Sequence, residues 1–301
     1  MKISLGPILY CWERENLLDF YAQAATWPVD IVYLGEVVCS KRHTFRTEDW
    51  LEVAERLTLA GKEVVLSSMA LIESESDLKT MRSLADNGKF PLEANEMGAV
   101  KLATGSKFVA GPHLNTYNPQ TLGIMGELGA TRWVMPVDMS GKMLAELLAD
   151  KPDGMETEIF AYGRLPLAFS ARCFTARHYN LPKDDCQFRC LDHAYGMTLS
   201  TREGQPFLAL NGIQTQSSSV YNLLPEIESM RGMVDILRIS PQPQQTGQVV
   251  SLFRQCMDGA IPISEACDAL LQLMPDKPCD GYWHGKAGLE SSQHITDGAP
   301  L

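Results

Sequence analysis

The feature that most restricts this chain's fold is a repeated alternation between two hydrophobic periods. Eight short runs are apolar almost without interruption: KISLG (2–6), DIVYLG (30–35), EVVLSS (63–68), FPLEA (90–94), KFVAG (107–111), RWVMP (132–136), TEIFAYG (157–163) and DILRIS (235–240). Continuous apolarity, rather than strict alternation, is the pattern of parallel strands covered on both faces. The segments between them carry helix-period stripes with start and stop signals. Thr47 precedes an acidic turn and then Trp50, Val53, Ala54 and Leu57, with Gly61 as the stop. Ser140 opens a stripe of Met143, Leu144, Leu147 and Leu148, and Asn118-Pro119 opens Leu122, Met125 and Leu128 before Gly129.

Eight strands alternating with helices predict an α/β fold, a (β/α)8 TIM-like barrel. An open doubly wound sheet is the alternative. Such sheets usually carry a Gly-rich phosphate turn, and neither G-x-G-x-x-G nor a Walker sequence is present. The rhythm breaks once, between the seventh and eighth strands, where residues 164–234 form an insertion that contains all but one of the cysteines singled out below. Insertions of that length on a compact scaffold are usually functional. Within it, MTLSTRE and PFLALN read as two antiparallel strands joined at Gly204. The expected organisation is a barrel over 1–260, including the insertion, followed by a C-terminal helix and a flexible polar tail over 261–301.

The net charge is −11, with no basic stripe, which argues against nucleic acid as a partner. No run reaches the roughly 18 apolar residues of a membrane span, and the N-terminus lacks a signal-peptide pattern. A cytoplasmic location is therefore expected, with the eight cysteines as reduced thiols. Reduced thiols either pack as small hydrophobes or bind metal.

Three cysteines of the insertion, Cys173, Cys186 and Cys190, are spaced C-x12-C-x3-C. A thiolate centre needs a fourth ligand, and Cys39 is the best candidate, because it follows the second strand. Loops after barrel strands share the C-terminal rim, so the second and seventh can meet. Cys11, Cys256, Cys267 and Cys279 read as structural thiols. Structural zinc prefers two close C-x2–4-C pairs, which this spacing lacks. A [4Fe–4S] cluster tolerates irregular spacing, and the C-x3-C-x2-C of radical S-adenosylmethionine centres is absent. Iron–sulfur, zinc and unligated thiols all remain open on spacing alone. Phe174, Phe188 and Tyr195 would shield a cluster, and Arg172 and Arg189 would offset its charge.

Polar residues at barrel strand ends are further candidates: Arg42, His43, Ser67, Ser68, Glu93, Asn95, His113, Asn115, Asp138, Tyr162 and Arg164. Among them Glu93, His113 and Arg164 are the rim candidates for catalysis. Each has a plain structural reading: an ion pair for Glu93, a turn hydrogen bond for His113, the core for Tyr162.

The stretches LGPILYCW, DIVYLGEVVCSKRH, LEANEMGAV, FVAGPHLNTYN, GATRWVMPVDMS, GRLPLAFSARCFTARHYNLPKDDCQFRC and LRISPQ resemble the collagenase-like peptidase family of unassigned mechanism, from residue 1 to about 260. Within that family the likeness is to the branch of oxygen-independent ubiquinone biosynthesis. The resemblance implies a barrel fold and a [4Fe–4S] cluster on Cys39, Cys173, Cys186 and Cys190. It also implies a heterodimer with a UbiU-like protein, a sterol-carrier-like lipid-binding accessory protein, and a quinone-precursor substrate hydroxylated at the expense of prephenate. Prephenate is a dicarboxylate, and Arg164, Arg172, Arg177 and His178 are the cations expected to hold it. Peptidase activity is not expected, since G-x-S-x-G and H-E-x-x-H are both absent. A non-catalytic, cluster-stabilised scaffold and an RNA-base hydroxylase of the same broad family are the alternatives.

Overall fold

The computed structural model describes residues 1–292. All eight predicted runs form parallel strands: β1 (Lys2–Leu5), β2 (Ile31–Leu34), β3 (Glu63–Ser67), β4 (Leu92–Ala94), β5 (Phe108–Ala110), β6 (Ala130–Val134), the first half of β7 (Glu156–Phe169) and β11 (Ile236–Ile239). Each pairs with the next. β11 pairs with both β7 and β1, for example Ile236 with Glu158 and Lys2 with Ile236, so the sheet closes. The fold is the expected α/β barrel.

Side chains alternate along each strand. Ile3, Leu5, Val32 and Leu34 pack outward against the helices, while Ile31, Tyr33, Val65, Val109, Val134 and Ile236 form a separate inner cluster. The rest of the interior is charged. Arg238 lies 2.7 Å from both Glu93 and Glu158 and 4.0 Å over the Tyr33 ring. Tyr33 and Ser4 donate to Glu158 at 2.5 Å each. Below them Arg132 reaches Tyr33, Glu156 and Glu63. Burying such charges is tolerable only because each has an opposite partner, and removing one partner costs about 3–5 kcal/mol.

The outer helices are α1 (Arg14–Ala24), α2 (Thr47–Leu59), α3 (Glu75–Ala85), α4 (Met97–Ala103), α5 (Pro119–Leu128) and α6 (Gly141–Leu148). Asn118 caps α5 by accepting from the Thr121 N–H, and Ser140 caps α6 by accepting from Met143. Thr47 is not a cap. It is the first residue of α2; Arg46 precedes the helix, and its N–H donates to the Asp49 carboxylate.

The insertion differs from its reading in one large respect. β7 continues beyond the barrel for the rest of its 14 residues and pairs antiparallel with β10 (Gln214–Asn222). β10 pairs with β9 (Pro206–Asn211), and β9 with β8 (Met197–Ser200). β10 is absent from the sequence reading, because GIQTQSSSVYN looks like loop. Its Gln214, Gln216, Ser217 and Ser218 are buried nevertheless, with Gln216 donating to Gln214 and the Ser217 hydroxyl to the Ser219 carbonyl. The cysteine segment lies between β7 and β8 and holds one short helix, α7 (Phe174–His178).

α8 (Ile227–Met230) precedes β11, and after it come α9 (Thr246–Met257), α10 (Ile263–Leu271) and β12 (Pro278–Cys279), which pairs with β10. The segment read as a tail is anchored: the Trp283 ring is buried against Gly141, where a Cβ would lie 2.8 Å from it, and Ser292 donates to the Asp280 carboxylate. Residues 293–301, the end of that segment, lie outside the described residues. No helix among the described residues is long and apolar enough to cross a membrane.

Candidate metal centre

The loop after β2 is shaped before it reaches Cys39. Gly35 adopts φ +142°, and a Cβ there would lie 2.3 Å from the Ser67 carbonyl, so only glycine can turn the chain at this point. The Glu36 carboxylate then accepts from the N–H groups of Val38 and Cys39 at 2.8 and 3.0 Å, fixing the thiol-bearing turn. Cys39 is buried among Leu9, Val37, Val38 and Ile213, with Cys173, Phe169, Ala70 and Leu71 packed on the same cluster. The strand-two loop and the insertion therefore meet, as barrel geometry required.

Cys173 precedes α7, and its sulfur accepts from the Ala176 N–H at 3.3 Å. Burial raises the pKa of its thiol, with the Ala176 N–H opposing. Between the last two, Gln187 and Phe188 both take the left-handed conformation, at φ 52° each. Non-glycine residues pay about 1–2 kcal/mol apiece for that geometry, and such strain concentrates at functional segments. It reverses the chain within the C-x3-C loop.

One buried cation serves the cluster. Arg42 donates to the Leu9 carbonyl and to Asn211 Oδ1, both at 2.7 Å, and lies 3.7 Å from Glu36. It thereby ties the loops after β1 and β2 to the insertion. Burial pushes the Cys39 thiol up to about 11, with Arg42 opposing. Cys190 moves the other way, down to about 6, under the influence of Cys11 and Arg42, and Cys11 moves up.

The donor set is four soft thiols with a buried guanidinium beside them. That chemistry suits a thiolate-ligated iron–sulfur or zinc group. Among the described residues, no three His, Cys, Asp or Glu side chains are close enough to hold a single metal ion as they stand.

A polar pocket of about 390 Å³ adjoins the thiols at the barrel mouth. Ala70 and Phe169 line it and also pack on the Cys39 cluster, so the two share a wall. His113, Asn115, Tyr117 and Asp138 supply its polar surface, and Tyr117 donates to Asp138 at 2.8 Å. His113 stands edge-on to Phe169 and keeps some exposed surface at the pocket mouth. Burial of its ring, reinforced by Arg238, pulls its pKa down to about 4, so the imidazole is neutral at ordinary pH.

The other rim candidates separate. Glu93 is buried in the Arg238 pair and also accepts from Ser67 at 2.6 Å and Asn95 at 3.3 Å. The Arg238–Glu93 contact is an ion pair by distance without hydrogen-bond alignment, since Glu93 Oε1 and Arg238 Nη2 find no hydrogen-bond partner. Arg164 turns away from the mouth and donates to the carbonyls of Ser217 and Ser218, with Asp276 at 3.7 Å. Arg172, Arg177 and His178 are exposed, and no arginine lines the pocket, so the expected dicarboxylate cradle is not assembled there. Phe188 is exposed, and Arg189 pairs with Asp192 and covers the Tyr179 ring, leaving the offsetting charge to Arg42. Tyr162 belongs to the core. The sequence reading set Cys11 aside. Its place just after β1, on the same rim as Cys39, is the signal that could have found it.

A family model described as peptidase family U32 matches residues 16–293. This chain belongs to peptidase family U32. The solved U32 peptidase Mk0906 is similar to this U32 chain over 80% of its length and 93% of the other, at 11% identity and a TM-score of 0.45. Dihydrodipicolinate synthase from Agrobacterium tumefaciens str. C58 is similar over 90% of this chain and 80% of its own, at 12% identity and a TM-score of 0.38. Mycobacterium tuberculosis tryptophan synthase is similar over 86% and 89%, at 10% identity and 0.39.

Proposed function

We propose that this U32 protein is the iron–sulfur subunit of an oxygen-independent ring hydroxylase in ubiquinone biosynthesis, the role implied by its likeness to the UbiV branch of the family. The observation that carries the reading is the packing of Cys39 against Cys173, from the segment that also holds Cys186 and Cys190, on a rim that shares a wall with a polar pocket. Cys39, Cys173, Cys186 and Cys190 would hold a [4Fe–4S] cluster. When bound, such a cluster supplies one-electron transfer.

The chain's own residues divide the remaining work. Glu36 holds the Cys39 turn, and the buried Arg42 would offset the charge of ionised sulfurs. Phe169 separates the thiols from the pocket, and neutral His113 offers the pocket a ring nitrogen that can accept or donate a hydrogen bond. A UbiU-like partner, a lipid-binding accessory protein and prephenate as hydroxyl source complete the reading. The lack of arginine in the pocket means that a dicarboxylate would draw its cations from elsewhere in the assembly.

The test replaces each of the four cysteines by Ala in turn. Each variant is purified without oxygen, assayed for iron and sulfide, and tested for anaerobic quinone synthesis in cells lacking the native protein. Iron and function should be lost together in all four. A variant that keeps its full iron load and supports quinone synthesis would remove that residue from the centre.

A further inference from the structure

One short turn of the insertion is bonded to the approaches of two other candidate ligands. Lys183–Asp185 forms a single 3-10 turn that runs directly into Cys186. The Lys183 ammonium donates to the Ala171 carbonyl at 3.0 Å, two residues before Cys173. It also donates to the Glu73 carboxylate, in the loop between β3 and α3. Its neighbour Asp184 pairs at 3.0 Å with Lys41, two residues after Cys39.

The two ion pairs differ in weight. Lys41 and Asp184 are 40% and 88% exposed, and a pair that open to water contributes little. Lys183 and Glu73 are 20% and 25% exposed, and the Ala171 carbonyl takes a further N–H of the same ammonium. Glu73 is itself fixed. Its N–H and that of Ser74 donate to the Asp77 carboxylate at 3.0 and 3.1 Å, and Asp77 is buried in the first turn of α3. The plain alternative is a solvated surface lysine. A mostly covered side chain with acceptors from two different segments argues against it.

We infer that Lys183 is a positioning residue of the metal centre, which seats the Cys186 turn against the approach to Cys173 and the loop after β3. Asp184, through Lys41, adds a smaller share and ties in the Cys39 loop. The inference rests on the iron–sulfur reading for the identity of the bound group, and on the bonds of Lys183 alone for the seating of the turn.

The experiment compares full-length wild type, Lys183→Met and Lys183→Arg. Met keeps a long stem and removes the donors, whereas Arg restores charge and donors. Each protein is purified without oxygen and assayed for iron and sulfide. Each is then stripped of metal and alkylated with iodoacetamide, and the rate at every cysteine is read by peptide mass mapping. Alkylation samples the open form of a segment, so its rate reports how tightly the turn is held. In Lys183→Met, Cys186 should react about tenfold faster than in wild type, with Cys256 and Cys267 on α9 and α10 unchanged. The same variant should retain less iron, and Lys183→Arg should recover most of both effects.

A Cys186 rate equal to that of wild type would overturn the inference. A rise at all cysteines alike would mark a general loosening of the fold and overturn it equally, as would a full iron load in Lys183→Met. Lys183→Arg behaving like Lys183→Met would detach the effect from the charge and also overturn it. If wild type itself holds no iron or sulfide, the iron–sulfur reading fails, and the alkylation rates still decide whether Lys183 seats the turn.

Discussion

Two buried arginines are held in opposite ways. Arg238, inside the barrel, sits 2.7 Å from each of two carboxylates; Tyr33 and Ser4 also donate to Glu158, and Ser67 and Asn95 to Glu93. Arg42, at the rim, holds a backbone carbonyl, an amide oxygen and one carboxylate at 3.7 Å, and turns toward sulfurs. The first cation is matched by two carboxylates. The second faces thiols, whose charge depends on what they bind. A strongly buried charge can thus be structural scaffold or functional equipment, and the partners tell which.

Removing each cation separates the two roles. Arg238→Met strands two buried carboxylates and should cost about 3–5 kcal/mol of stability, measured by urea unfolding. Arg42→Met strands one carboxylate, Glu36, and the neutral Asn211 amide oxygen, so the metal-free protein should lose less, about 1–3 kcal/mol, with its larger effect on iron retention. Equal losses of stability, with iron retained in Arg42→Met, would erase the distinction.

His113 lies between the two regions, beside the pocket and near Arg238. Its folded pKa of about 4 is below the ordinary histidine value of about 6.5, so the unfolded chain binds the extra proton first. Its contribution to stability is full above pH 6.5 and is lost as the pH falls to 4, by about 3 kcal/mol in all. His113→Gln should remove that part of the pH dependence. A variant whose stability falls as steeply as wild type over this window would place the titration elsewhere. The smallest effect is expected far from both regions: Asn118→Ala should cost about 1 kcal/mol through the lost α5 cap, with iron content unchanged.

The same contrast explains what was legible in the sequence. Barrel strands announce themselves because both faces are covered, and even the three-residue β4 was readable from FPLEA. The meeting of Cys39 with Cys173 followed from the rule that loops after strands share a rim. β10 was not legible, because the first five of its residues, Gln214 to Ser218, are polar although mostly buried, and hydropathy cannot distinguish that from a loop. Arg164 was placed at the correct strand, but its direction depends on the carbonyls exposed by the irregular β7–β10 pairing, which no spacing encodes. Cys11 was passed over because Glu36 and Arg42, with which it lines one small cavity, follow a different strand, and only the folded rim brings them together.

The most direct test of the metal centre is the composition of the protein purified without oxygen: iron, acid-labile sulfide and zinc per chain, with an absorption spectrum. About four iron and four sulfide per chain, with a brown colour bleached by dithionite, is the expected result. About one zinc per chain with no iron or sulfide would contradict the iron–sulfur assignment and make the four thiols a structural zinc site.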